Sequence, residues 1–79
     1  VAMTATWQIR VLHGSNYEMF FITASNGDDN YIMFGNVGTS GYFAAKTIVV
    51  THDGSGFYLN YTNNESDSVT LRIIRVNIL

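Results

Sequence analysis

The sequence predicts an all-β fold: a small antiparallel sandwich or barrel of about six strands, mainly hairpin-connected. Three observations carry this. Short runs of β-branched and aromatic residues alternate with polar ones, which is the period of a half-buried strand. Gly, Asn and Asp cluster between the runs at intervals of roughly 10–14 residues, the turn spacing of a sandwich or barrel. No proline interrupts any of the runs.

The first run covers residues 6–12. Trp7, Ile9 and Val11 alternate with Thr6, Gln8 and Arg10. Gly14-Ser15-Asn16 follows as a tight turn. A second run, residues 17–23, is apolar on both faces at Met19-Phe20-Phe21-Ile22. The polar stretch from Ser25 to Asn30 contains Asn26-Gly27, a hairpin signal. Residues 31–35 form a short third strand and residues 36–41 a loop. The fourth strand, residues 42–51, ends in Ile48-Val49-Val50, too short and too β-branched for a helix. His52-Asp53-Gly54-Ser55-Gly56 is the next turn. Residues 57–62 place Phe57, Leu59 and Tyr61 on one face of a fifth strand. After the polar residues 63–68 comes the last run, residues 68–79, long and rich in Ile and Val. Strict alternation puts Arg72 and Arg75 on its opposite faces, unless a bulge at Ile73-Ile74 resets the register. The plain reading is a solvated edge charge that blocks strand-to-strand aggregation, and the alternative is a pairing with Glu18 or an interface acid. Trp7, Phe21, Phe43 and Phe57 are the expected aromatic core.

Seventy-nine residues without a linker or low-complexity stretch read as one domain, residues 1–79. A domain of this size buries roughly 60–65% of its unfolded surface. Cysteine is absent, so no disulfide supports the small core. Yet 47% of the residues are hydrophobic and only 13% are charged. Such domains gain stability from very good packing or from oligomerisation. Apolar residues on both faces of the second, fourth and last runs favour a homo-oligomer, a dimer with the last strand in its interface.

Four cations against six acids give a net charge of −2, so no basic stripe exists to grip a phosphate backbone. Nucleic acid is therefore not an expected partner. No apolar run approaches the roughly 18–20 residues of a membrane span. No signal-peptide pattern opens the chain. Val1 with Met3 behind it reads equally as a processed end or a cut one. A composition rich in Asn, Thr, Ser, Gly and Tyr suggests an extracellular or surface-exposed setting.

No nucleophile motif, phosphate loop or Cys/His metal spacing is present, so no enzyme activity and no catalytic residue are expected. His52 and Asp53 are adjacent in an extended segment and point opposite ways, which prevents a base–acid pair. His13, before Gly14, reads as a solvated turn residue. Five of the six acids lie in turns. Asp28, Asp29 and Asp53 belong to two turns at one end of an up-and-down fold, where calcium is the conceivable ion; no cofactor is otherwise expected. Asn60 and Asn64 each open a glycosylation sequon.

Tyr17, Tyr31, Tyr42, Tyr58 and Tyr61 lie near strand ends among Asn and Asp. Aromatic rings stack on sugar C–H faces and amides or carboxylates bond sugar hydroxyls. The expected function is thus a non-enzymatic, lectin-like recognition module for a glycan or glycoprotein. Its ligand residues would be Asn26, Asp28, Tyr31, Asp53 and Tyr58. An oligomeric structural subunit of a virion or cell surface is the alternative, followed by a membrane-active β protein or a protease inhibitor using residues 36–41. The segment Trp7-Gln8-Ile9-Arg10-Val11-Leu12-His13 resembles the first strand of small β-sandwich membrane-binding toxins, over under a tenth of the chain and without a specific motif.

Overall fold

A computed structural model describes residues 4–25 and 31–76. Six strands form within them: β1 (Thr4–His13), β2 (Asn16–Ser25), β3 (Tyr31–Gly38), β4 (Lys46–Asp53), β5 (Gly56–Asn63) and β6 (Thr70–Val76). A single 3-10 turn, Thr39–Gly41, precedes the crossing to β4. All pairing is antiparallel. One sheet has the order β3-β2-β1-β6 and the other is the β4–β5 hairpin. The result is an open sandwich, not a closed barrel: β3 and β6 keep free edges.

The core follows strand alternation. Trp7, Ile9 and Val11 of β1 and Phe20, Ile22 and Ala24 of β2 are buried, facing Ile48 and Phe57 of the hairpin. Two expected core aromatics are thereby corrected. Phe20 and Ile22 take the inner face of β2, so Phe21 turns outward and stacks on Phe34 at 5.4 Å. Phe43 is 54% exposed because residues 42–45 connect the sheets instead of joining β4. The Phe21 error comes from period 2, because a run apolar on both faces does not reveal which face is inside. The Phe43 error comes from where β4 begins, at Lys46.

β3 also runs farther than expected, through residues 36–38. An extra residue makes this possible. Phe21 pairs Phe34 and Met19 pairs Val37, three steps on β3 against two on β2. Gly35 sits at this bulge with φ 69°, a conformation that disfavours a side chain. The bulge resets parity, so Ile32, Phe34 and Val37 share the outer face. The expected inhibitory loop at residues 36–41 is accordingly the end of β3 plus one 3-10 turn.

β6 pairs β1 in unbroken register from Thr70 to Val76, so no bulge occurs at Ile73-Ile74. Arg75 lies on the inner face and covers the Trp7 ring at 5.5 Å, while Arg72 stands outside, directly opposite Arg10. Glu18, the alternative partner of these arginines within the chain, is bound to Lys46 instead. Among the described residues, no helix is long and apolar enough to cross a membrane.

Candidate functional site

Polar side chains from distant segments meet at the end of the sandwich that carries the β1–β2 turn. Glu18 takes a core-facing position on β2 and is 1% exposed. A carboxylate so placed must be neutralised and hydrogen-bonded. Lys46, at the start of β4, supplies both needs. Its Nζ lies 2.9 and 3.0 Å from the two Glu18 oxygens, donates to the Ala44 carbonyl at 2.9 Å, and sits 4.9 Å from the Phe20 ring centre. The Ala44 N–H completes the carboxylate shell at 3.2 Å.

Beside this pair lies a second cluster. His13 Nε2 is 2.6 Å from Asp67 Oδ1, and Nδ1 is 2.7 Å from the Tyr42 hydroxyl and 3.7 Å from Glu65 Oε1. Glu65 Oε2 accepts the Ala45 N–H at 2.6 Å and lies 3.5 Å from the Tyr42 hydroxyl. The β5–β6 connection that carries both acids is pinned by its own asparagines. Asn63 accepts the Glu65 N–H and donates to the Asp67 carbonyl; Asn64 donates its backbone N–H to Ala45 and its side-chain amide to Thr47. His13 is thus a half-buried, three-partnered group and not the solvated turn residue its sequence context predicts. Its partners lie 29 to 54 residues away, which no local pattern reveals.

Phenols here are held neutral. Burial, then the Glu65 carboxylate, raises the Tyr42 hydroxyl above its ordinary value. Burial, with Glu18 second, pushes Tyr61 up to about 12. The Tyr61 hydroxyl is buried without a hydrogen-bond partner.

Of the residues expected to bind a ligand, Tyr31, Asp53 and Tyr58 lie toward the opposite end. Asn26 and Asp28, with Asp29 of the expected calcium group, fall outside the described residues. Asp53 closes its own turn, accepting the Ser55 and Gly56 N–H groups at 2.7 and 3.2 Å and the Tyr58 hydroxyl at 3.4 Å. Tyr58 is exposed beside it. Tyr31 is half-buried against the core, and its hydroxyl donates to the Ile48 carbonyl of the facing sheet. Among the described members of the expected set, only Asp53 and Tyr58 are in contact. His52 packs its ring near Phe57, 5.8 Å between centroids, apart from any acid–base pairing.

The two solvent-facing sheet surfaces differ in chemistry. On the hairpin, the outward side chains are Thr47, Val49 and Thr51 with Tyr58, Asn60 and Thr62. On the four-stranded sheet, cross-strand register lays out parallel rows. Phe34-Phe21-Gln8-Ile74 is one, Val37-Met19-Arg10-Arg72 the next, and Ile32-Thr23-Thr6-Val76 a third. Ile32 is 68% exposed, Phe34 45% and Val37 53%. No family model matches the chain, and neither a curated protein nor a solved structure does.

Proposed function

We propose that this chain is a non-enzymatic contact module: a structural subunit that associates with a second copy of itself through the outer face of its four-stranded sheet. The observation that carries this reading is the apolar grid on that face. Ile32, Phe34 and Val37 line β3 and Phe21 and Met19 line β2, forming the patch; Ile74 stands on β6 beyond Gln8, and Arg10 and Arg72 border the patch on the same face. A soluble monomer rarely leaves so contiguous an apolar surface in water. Self-association fits a cysteine-free chain with a small core, for which a shared interface supplies burial the single domain lacks. Its modest net charge of −2 offers little opposition to pairing.

The free edge of β6 strengthens the case. Leu71 and Ile73 point to the inner side yet remain exposed, because the two-stranded hairpin does not extend over β6. An interface that includes β6 would cover both sides of this strand.

Light scattering after size exclusion at micromolar concentration tests the proposal. The expected result is an oligomer, in the first place a dimer. Phe34→Asp should weaken it roughly 10–100-fold, since burying a Phe side chain is worth about 1.5–3 kcal/mol. Tyr58→Asp, on the hairpin face, should leave it intact. A clean monomer mass for the unmodified chain overturns the reading.

Glycan recognition is a second reading, favoured by one observation: the exposed Tyr58 ring stands beside the Asp53 carboxylate. Retention of the chain on immobilised glycans, lost in Tyr58→Ala, would support it.

A further inference from the structure

We propose that His13, Glu65 and Asp67 form a binding site for one divalent metal ion of the zinc class. The three arrive from the end of β1 and from the β5–β6 connection, and one donor atom of each lies within 4.8 Å of the others. Ligands bonded at about 2.0–2.2 Å around a tetrahedral ion stand about 3.3–3.6 Å apart. Asp67 Oδ1 lies 2.6 Å from His13 Nε2, closer than that spacing, while Glu65 Oε1 lies 3.7 Å from the other ring nitrogen, Nδ1, so the Glu65 carboxylate has to turn toward Nε2 for all three to share one ion. Rotation of the Glu65 and Asp67 side chains within this 4.8 Å cluster would bring the three donors round one ion at Nε2. A chelating set of one nitrogen and two carboxylates leaves further positions for water or a partner's side chain.

Donor chemistry selects the ion. Calcium prefers six to eight oxygens and magnesium keeps its waters, so an imidazole suits neither. Zinc and its neighbours accept imidazole nitrogen and carboxylate oxygen together. Two carboxylates also balance the charge of a divalent cation bound to a neutral imidazole.

The surroundings are arranged as ligand supports usually are. A ligating histidine is fixed by a partner on its other nitrogen, and a ligating carboxylate by hydrogen bonds to its free oxygen. Tyr42 stands at His13 Nδ1, which leaves Nε2 for the ion, and the Ala45 N–H holds Glu65 Oε2, which leaves Oε1 as the ligand atom. The bonds of Asn63 and Asn64 hold the connection in place before any ion arrives. Glu18 does not compete, since Lys46 occupies both of its oxygens. This proposal is independent of the assembly reading, because the cluster lies at the strand ends and away from the apolar rows.

Cobalt(II) titration of the intact chain, read by its visible d–d absorption and reversed by zinc, decides the matter. The expected result is saturation at one equivalent per chain with a rise in melting temperature. Asp67→Asn is the primary variant, because the Asp67 side chain is 69% exposed and its loss should leave the fold intact; it should bind more weakly. Tyr42→Phe should weaken binding on the order of 10–100-fold through the lost support to His13. Asp53→Asn, at the far end, should bind as the unmodified chain does. Absence of saturable one-equivalent binding overturns the proposal. So does binding that survives unchanged in both Asp67→Asn and His13→Asn, since the hydrogen bonds would then only tie the connection to β1.

Discussion

The two ends of the sandwich are closed by opposite means. At the β1–β2 turn, side chains from β1, β2, β4 and both crossings interlock: Glu18 with Lys46 and Ala44, His13 with Tyr42, Glu65 and Asp67. Asp53, at the other end, bonds within its own hairpin, and Tyr31 reaches across to Ile48. Turn-forming Asn and Asp are plentiful in the sequence near that second end. Yet a turn residue can spend its polar atoms on the adjacent backbone, as Asp53 does. Groups held by distant partners are the ones whose chemistry is shared between elements, and His13, Glu18 and Glu65 are such groups.

Breaking the interlocked end should have the largest effect. Lys46→Met removes the only cation bonded to Glu18 among the described residues and leaves a fully buried carboxylate. The expected loss is about 3–5 kcal/mol, because the stranded charge loses its Coulombic partner in a poorly solvated site. Glu18→Leu combined with Lys46→Met should cost much less than Lys46→Met alone, since no charge is then stranded. Urea denaturation of the single and double variants gives the comparison. A double variant as unstable as Lys46→Met would mean that packing, not the stranded charge, causes the loss.

That pair also marks what the sequence makes legible. The strand pattern, the hairpin turns and the inward faces of β1 and β5 follow from period 2 and turn chemistry. Trp7, Ile9, Val11 and Phe57 are where alternation puts them. The inner face of β2 was not legible, because Met19-Phe20-Phe21-Ile22 is apolar both ways and only the register with β1 chooses Phe20 and Ile22. The extra residue at Gly35 was hidden too, although a Gly inside a strand is a known bulge signal. Glu18 offered a clue of another kind: an acid within a strand whose even positions are apolar must find a cation, and the chain has one lysine. His13 gave none, since its partners are fixed by how the two sheets stack.

Tyr61 sharpens the comparison from inside the interlocked end. Its hydroxyl is buried and unpaired, so Tyr61→Phe should raise stability by about 1 kcal/mol, the part of the desolvation cost that packing does not recover. The pH dependence has a definite sign. The folded-state value, about 12, lies above the ordinary 10.0, so the folded chain retains a proton that the unfolded chain releases first. The neutral phenol's contribution is complete below about pH 10 and is lost as pH climbs toward 12. Tyr61→Phe should make the alkaline fall in melting temperature shallower. Part of the fall should remain, because Tyr42 is raised in the same direction. An equal or steeper fall in the variant would show that Tyr61 ionises without strain.

The smallest effect belongs to the Asp53 turn, whose bonds stay within its own hairpin. Asp53→Ala removes an acceptor for two backbone N–H groups that water can reach, so the loss should be about 0.5–1.5 kcal/mol. Its more informative use is in combination. Asp53 and Lys46 end the same strand, seven residues apart, which at about 3.3 Å per residue separates them by about 23 Å. Sites so far apart without shared partners add within roughly 0.3–0.5 kcal/mol. The double variant Lys46→Met/Asp53→Ala should therefore lose the sum of the two single losses. A shortfall or excess above about 1 kcal/mol would mean that β4 transmits strain along its length, and that the two ends are one cooperative structure closed in two places.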